Sequence, residues 1–147
     1  MFYIGIDPGI NGGCAVLDED GALKTYRCPK DVEGMADVLY DYQFKDSYAI
    51  IEKVHSFPGQ GVVSTFTFGN NFGRWEGILS AYNIPFLYVQ PKKWMESFQP
   101  LSKEKKIRKK ELKAKAMDLH PEEKITLITA DAVLLAHYCK GWDTPNE

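Results

Sequence analysis

Three carboxylates stand out because each closes or opens an apolar element. Asp7 ends the run Phe2-Tyr3-Ile4-Gly5-Ile6, Glu52 ends Tyr48-Ala49-Ile50-Ile51, and Asp131 opens the stretch that continues into Val133-Leu134-Leu135. A strand that is apolar throughout is buried on both faces, so its terminal acid lies where core meets solvent. Taken alone, Asp7 and Asn11 have a second, less favoured reading, as satisfying the backbone of the Gly-rich turn that follows. Three acids in one place, however, repel one another unless a cation neutralises them, and hard oxygen ligands select magnesium or manganese over zinc. Two such ions can clamp a phosphodiester, one activating water and the other stabilising the leaving oxygen. The chemistry to expect is metal-dependent phosphodiester hydrolysis.

Whether the acids meet depends on the elements that carry them. Gly13 to Leu17 reads as a second strand, and Asp20-Gly21 turns it into a third from Ala22 to Arg27, giving an antiparallel meander. Asp31 caps a helical pattern in Val32, Met35, Ala36, Leu39 and Tyr42. The strand ending at Glu52 then follows a crossover and should lie parallel to the first, with both carboxylates at one sheet edge. A Gly- and Pro-rich loop, Lys53 to Gly61, leads into a long helix from about Val63 to Tyr82. Gly69, Gly73 and Gly77 recur there on one face, and three helix-interior glycines in register imply a close approach, either to the chain's own sheet or to a second subunit. Pro85 to Val89 is a fifth strand, and Pro91 opens a helical turn through Trp94. Ser102 is the expected N-cap of a helix reaching about Leu119, with Leu112, Ala116 and Leu119 able to point inward. The last helix runs from roughly Ile128 to Cys139.

Composition sets the remaining bounds. The 147 residues, 44% hydrophobic and 26% charged, suit a single globular domain spanning 1–147. Cys14, Cys28 and Cys139 are scattered and odd in number, which supports neither a disulfide framework nor a zinc site and suggests a reducing compartment. With no signal-like leader and no apolar run of about 18 residues, a cytoplasmic protein without a membrane partner is expected. The net charge of −2 conceals an asymmetry: Lys92 to Lys115 carries +7, leaving −9 elsewhere. A concentrated basic block on an acidic chain is the footprint of a polyanion partner. Its members are Lys92, Lys93, Lys103, Lys105, Lys106, Arg108, Lys109, Lys110, Lys113 and Lys115, and Lys103, Lys106, Lys110 and Lys113 form a stripe suited to phosphate contacts.

Five stretches in order, IGIDPG with GGCAV, IEKVHSFPGQG, FGNNFGRWEGIL, IPFLYVQPKKWM and ADAVLLA, resemble the RuvC-type Holliday junction resolvases, especially their shorter phage-type members. The resemblance covers nearly the whole chain. It implies an α/β, ribonuclease H-like fold: a mixed five-stranded sheet, antiparallel meander then parallel strands, flanked by helices. It further implies a homodimer, Mg2+ or Mn2+ with two ions per site, and paired nicks in strands of like polarity across a branched double-stranded DNA junction. Carried over by position, Asp7, Glu52 and Asp131 are the catalytic, metal-binding acids. His55 and Phe57 fall in the loop that reaches the junction centre, where an aromatic stacks on an unpaired base; anchoring the loop is the other reading of Phe57. Lys109 joins the phosphate-contacting lysines. The family usually has a further acid, or a histidine, three residues before the last Asp, and this chain has Ile128. Glu122 or Glu123 supplying the missing oxygen, three acids with extra water, and weak or absent cleavage are the competing explanations. His137, six residues on, is too far along the helix.

Two classes therefore compete, a junction-cleaving endonuclease and a junction-binding protein with a crippled site. An actin-like phosphotransferase, which also begins with an Asp-x-Gly loop and a meander, needs roughly twice this length, so no nucleotide cofactor is expected. A ribonuclease H-like enzyme acting on RNA shares all three acids.

Overall fold

The computed structural model describes residues 1–55 and 58–143, with side chains to 141. Five strands, β1 (Phe2–Asp7), β2 (Gly13–Asp18), β3 (Leu23–Arg27), β4 (Ser47–Glu52) and β5 (Phe86–Val89), form one sheet in the order β3-β2-β1-β4-β5. The first three are antiparallel, and β1–β4 and β4–β5 are parallel. This is the expected meander-then-crossover topology.

Two apolar layers cover the sheet because its central strands alternate between two cores. Ile4, Ile6, Val16, Ala49 and Ile51 pack with Met35 and Leu39 of α1 (Val32–Leu39) and Trp75, Ile78 and Leu79 of α2 (Val62–Ala81). Tyr3, Ala15, Leu17 and Ile50 pack on the other face. Their partners there are Trp94 of α3 (Pro91–Met95), Leu112 and Ala116 of α4 (Lys105–Leu119), and Val133, Leu134 and Leu135 of α5 (Ala130–Asp143). A 3-10 turn, Tyr40–Phe44, continues α1 toward β4. The three cysteines are buried and free. Among the described residues no helix is long and apolar enough to cross a membrane.

The close approach in this fold lies at Gly5, in the middle of β1. A Cβ there would stand 2.2 Å from the Ala132 carbonyl oxygen and 2.4 Å from the Ala136 amide nitrogen, so α5 rests on the bare backbone of β1. Of the two approaches left open for Gly69, Gly73 and Gly77, packing on the chain's own sheet is not the one found. They are exposed, and a Cβ at any of them meets nothing within 4 Å. The reason is rotational phase: α2 buries Asn71, Trp75, Ile78 and Leu79, and the glycines lie on the opposite side of the helix.

Helix starts also differ in detail. Glu104 occupies the N-cap position of α4 without a capping side-chain bond, while the Ser102 hydroxyl accepts from the Glu104 amide at 3.1 Å. Leu119 is exposed in the last turn of α4 rather than inward. Before α5, the Thr126 hydroxyl accepts from the Thr129 amide at 3.3 Å and the Thr129 hydroxyl accepts from the Thr126 amide at 3.1 Å. This reciprocal cap fixes where the helix, and with it Asp131, begins.

Candidate active site

β1 and β4 are neighbours, so Asp7 and Glu52 end side by side. Ile6 pairs with Ile51, and the next residue of each strand is the acid. α5 crosses β1 at Gly5 and brings Asp131 to the same edge. All three acids line one cavity of about 630 Å³, together with the Pro8–Gly12 loop and Lys105, Arg108, Lys109 and Leu112 of α4.

The loop after Asp7 is shaped by two glycines and one distant asparagine. Gly9 has φ +120, a conformation that favours glycine, and a Cβ at Gly12 would lie 2.0 Å from the Asp7 carbonyl oxygen. Asn71, only 5% exposed, holds the turn from α2: its Oδ1 accepts from the Gly9 amide at 2.7 Å, and its Nδ2 donates to Cys28 Sγ at 3.3 Å. Asn71→Ala leaves the Gly9 amide without its partner. The expected loss is about 1 to 3 kcal/mol of unfolding free energy, read from urea denaturation.

Burial and mutual repulsion set the electrostatics. The Asp7 carboxyl is pushed well above the usual range by burial first, then by the charges of Glu52 and Asp131, with Lys109 opposing. Glu52 is raised to about 7 by burial; the Trp94 indole N–H, donating to its Oε2 at 2.5 Å, pulls the other way, and Asp131 adds to the rise. Asp131 is raised by burial against the pull of Lys109 and Arg108. Three acids that resist ionisation while sharing one cavity form a hard-oxygen donor set short of positive charge, and this suits a divalent cation of the magnesium class. Among the described residues no three His, Cys, Asp or Glu side chains are gathered closely enough to hold a metal ion.

The basic helix enters the site with a different face from the expected stripe. Lys105, Arg108, Lys109 and Leu112 follow i, i+3, i+4, i+7 spacing and line the cavity. Lys106 and Lys110 lie on an exposed neighbouring face, Lys113 is half-buried, and Lys103 precedes the helix. Lys105 and Arg108 were thus missed as site residues. Buried Leu112, one turn below Arg108, is the signal that fixes the phase. Arg108 also ties the helix start down, its Nη1 donating to the Lys103 carbonyl at 3.0 Å.

The other expected residues fall around this centre. His55 lines an adjoining cavity of about 320 Å³ with Lys53, Phe68 and Phe72, and its Nε2 lies 3.4 Å from Gln90 Nε2. Phe57 lies outside the described residues. Lys92 and Lys93 are exposed on α3, and Lys93 pairs with Glu96 at 3.9 Å. Ile128 does not line the carboxylate cavity, nor do Glu122 and Glu123. Glu122 instead lies 3.6 Å from His120 Nδ1. His137 contacts His120, Nε2 to Nε2, at 2.7 Å, and burial with the charges of His120 and Lys140 lowers it to about 4.

Strand order, crossover and flanking helices are those of a ribonuclease H-like fold. Among solved structures the chain is similar to Thermus thermophilus RuvC in complex with a Holliday junction substrate, with a TM-score of 0.67 at 16% identity over 97% of this chain and 96% of that one. It is also similar to a second structure of T. thermophilus RuvC, with a TM-score of 0.64 at 17% identity and the same coverage of both chains. No protein-family model matches the chain. No curated protein matches it either.

Proposed function

We propose that this protein is a divalent-metal-dependent endonuclease that resolves four-way or branched DNA junctions as a homodimer. The observation that carries the reading is the meeting of Asp7, Glu52 and Asp131, from three separate elements, in one cavity walled by the cationic face of α4. The likeness of fold to a RuvC bound to a Holliday junction supports the choice of substrate.

In this reading Asp7, Glu52 and Asp131 hold the magnesium or manganese ions. Ions of this class supply an activated water and charge stabilisation at the scissile phosphate. The chain's own contribution is positioning: the Trp94 indole fixes the Glu52 carboxylate, Asn71 fixes the loop that carries Asp7, and Lys109 balances the charge of Asp7 and Asp131. Lys105, Arg108 and the exposed lysines of α4 receive the anionic backbone, with affinity that falls with salt. Because the Trp94 N–H favours ionised Glu52, Trp94→Phe should move the rising limb of the cleavage pH profile to higher pH. Rates measured at saturating manganese across the profile check this.

The dimer reading draws on α2. Its outward face carries exposed Val62 and Phe66, 86% and 75% accessible, followed by Gly69, Gly73 and Gly77. A second copy of the helix could approach that ridge closely, and a two-fold dimer suits a nearly two-fold junction. The second reading, a junction-binding protein with little or no cleavage, is favoured by Ile128 and by the position of Glu122 beside His120 instead of in the cavity.

A supercoiled plasmid that extrudes a cruciform tests the proposal. Two coordinated cuts across the junction yield linear DNA, and Asp7→Asn should yield none. Nicked circles alone would remove the dimer from the reading, and an untouched plasmid would remove the nuclease.

A further inference from the structure

Beside the carboxylate cavity, and sharing Ile10 and Asn11 with it, lies a second one of about 750 Å³ that the proposed chemistry leaves unused. It is lined by three cations from three elements: Arg27 at the end of β3, Lys30 in the turn after it, and Arg74 of α2. Asn11, Thr67 and Asn70 supply neutral hydrogen-bonding groups, and among the described residues no Asp or Glu lines the cavity. Among the described residues none of the three cations has a carboxylate within 4 Å. Three like charges gathered without a counterion raise each other's energy, and an anion relieves all three at once.

The sheet register gives the site its relation to the acids. Asp7 is opposite Gly13, and Gly13 is opposite Arg27, so one row along the sheet edge runs Arg27, Gly13, Asp7 and then Glu52. Two strand spacings separate the Arg27 and Asp7 backbones by about 10 Å. At about 3.4 Å of axial rise per nucleotide, that keeps the two within about three nucleotides of each other on one DNA strand. Asn71 welds the two cavities together, bonding Gly9 on the acid side and Cys28 on the cationic side.

We propose that Arg27, Lys30 and Arg74 form a seat for a backbone phosphate of the strand being cut, two or three nucleotides from the scissile one. This rests on the nuclease reading above and extends it by giving the strand a path, across the sheet edge from β4 toward β3. The lining of the cationic cavity comes from the β1–β2 loop, β3 and the turn after it, and α2, with no residue of α4, so the seat makes a contribution to binding separate from the lysine block.

The test is binding of a fluorescent four-way junction without divalent metal, over about 0.05 to 0.2 M salt, where each phosphate contact contributes a slope near −0.9 in log K against log salt. Arg27→Gln with Arg74→Gln should lose one such contact, giving a slope shallower by about 1 and affinity about tenfold lower near 0.1 M salt. Arg27→Lys should keep the slope. Single Arg74→Gln and Lys30→Gln variants, checked by circular dichroism, carry the test if the double variant misfolds. Wild-type binding with an unchanged slope in folded variants overturns the seat and leaves the nuclease reading standing. Failure of the wild type to bind junctions overturns both. A parallel arm measures thermal stabilisation by inorganic phosphate: stabilisation lost in the variants, with junction binding unchanged, assigns the cavity to a free anion and overturns the DNA path.

Discussion

Replacing Glu52 by glutamine is expected to make the metal-free protein more stable at pH 8 while removing cleavage. Burial raises the Glu52 carboxyl from 4.5 to about 7 in the folded chain. A group raised on folding contributes stability that is complete below its unfolded value and lost as pH rises through its folded one, so ionising Glu52 costs stability between about pH 4.5 and 7. A shift of this size corresponds to about 3 kcal/mol. The amide of the Glu52→Gln variant keeps an oxygen for the Trp94 indole, carries no charge, and avoids that loss. Urea denaturation in EDTA should therefore show the two proteins equal near pH 4 and the variant ahead by up to about 3 kcal/mol at pH 8. Magnesium should narrow the gap by stabilising only the wild type. Cleavage should fall by about a thousandfold, the equivalent of roughly 4 kcal/mol of lost charge stabilisation. A variant less stable than the wild type at pH 8 would mean that Glu52 is held by a partner, not strained by its surroundings.

Gly5→Ala should be among the most damaging single-methyl changes in the chain. The added carbon meets backbone atoms of α5 at 2.2 and 2.4 Å, and backbone cannot rotate aside as a flexible side chain does. Overpacking a core costs about 1 to 3 kcal/mol when side chains can adjust, and this site should lie at or beyond the upper end. The consequence reaches the chemistry, because α5 carries Asp131 and must retreat from β1, which carries Asp7. Any Gly5→Ala protein that folds should therefore show slow cleavage and weak manganese binding, even though residue 5 touches neither. Chemical denaturation and metal titration of the same sample separate the two effects.

Much of this was legible in the sequence because the relevant signals are local. An apolar run that stops on one acid marks a buried strand and the edge where it ends, and a helix between two such runs makes them parallel. Those two facts bring Asp7 and Glu52 to one edge, and the apolar helix after Asp131 supplies the third acid. What escaped depends on partners far along the chain. Gly5 sits inside an unbroken apolar run, where nothing local reveals that a helix 127 residues later will lie against it. Asn71 looks like one polar residue in a glycine-rich helix until its bond to Gly9 is seen. On α2 and α4 the helical period is readable but the phase is not, so the sequence leaves open which way the three glycines face, and the lysine stripe it picks out omits Lys105 and Arg108. Arg27, Lys30 and Arg74 are separated in sequence and carry no motif; only the sheet register and α2 bring them together.

The central claim is that the three acids make this chain a nuclease despite Ile128, and strand-resolved cleavage of a synthetic four-way junction with manganese tests it most directly. The expected result is a pair of cuts in two strands of like polarity, placed symmetrically about the branch point and absent in Asp7→Asn. Tight, salt-sensitive binding with all four strands intact would contradict it and leave a protein that recognises junctions without cutting them.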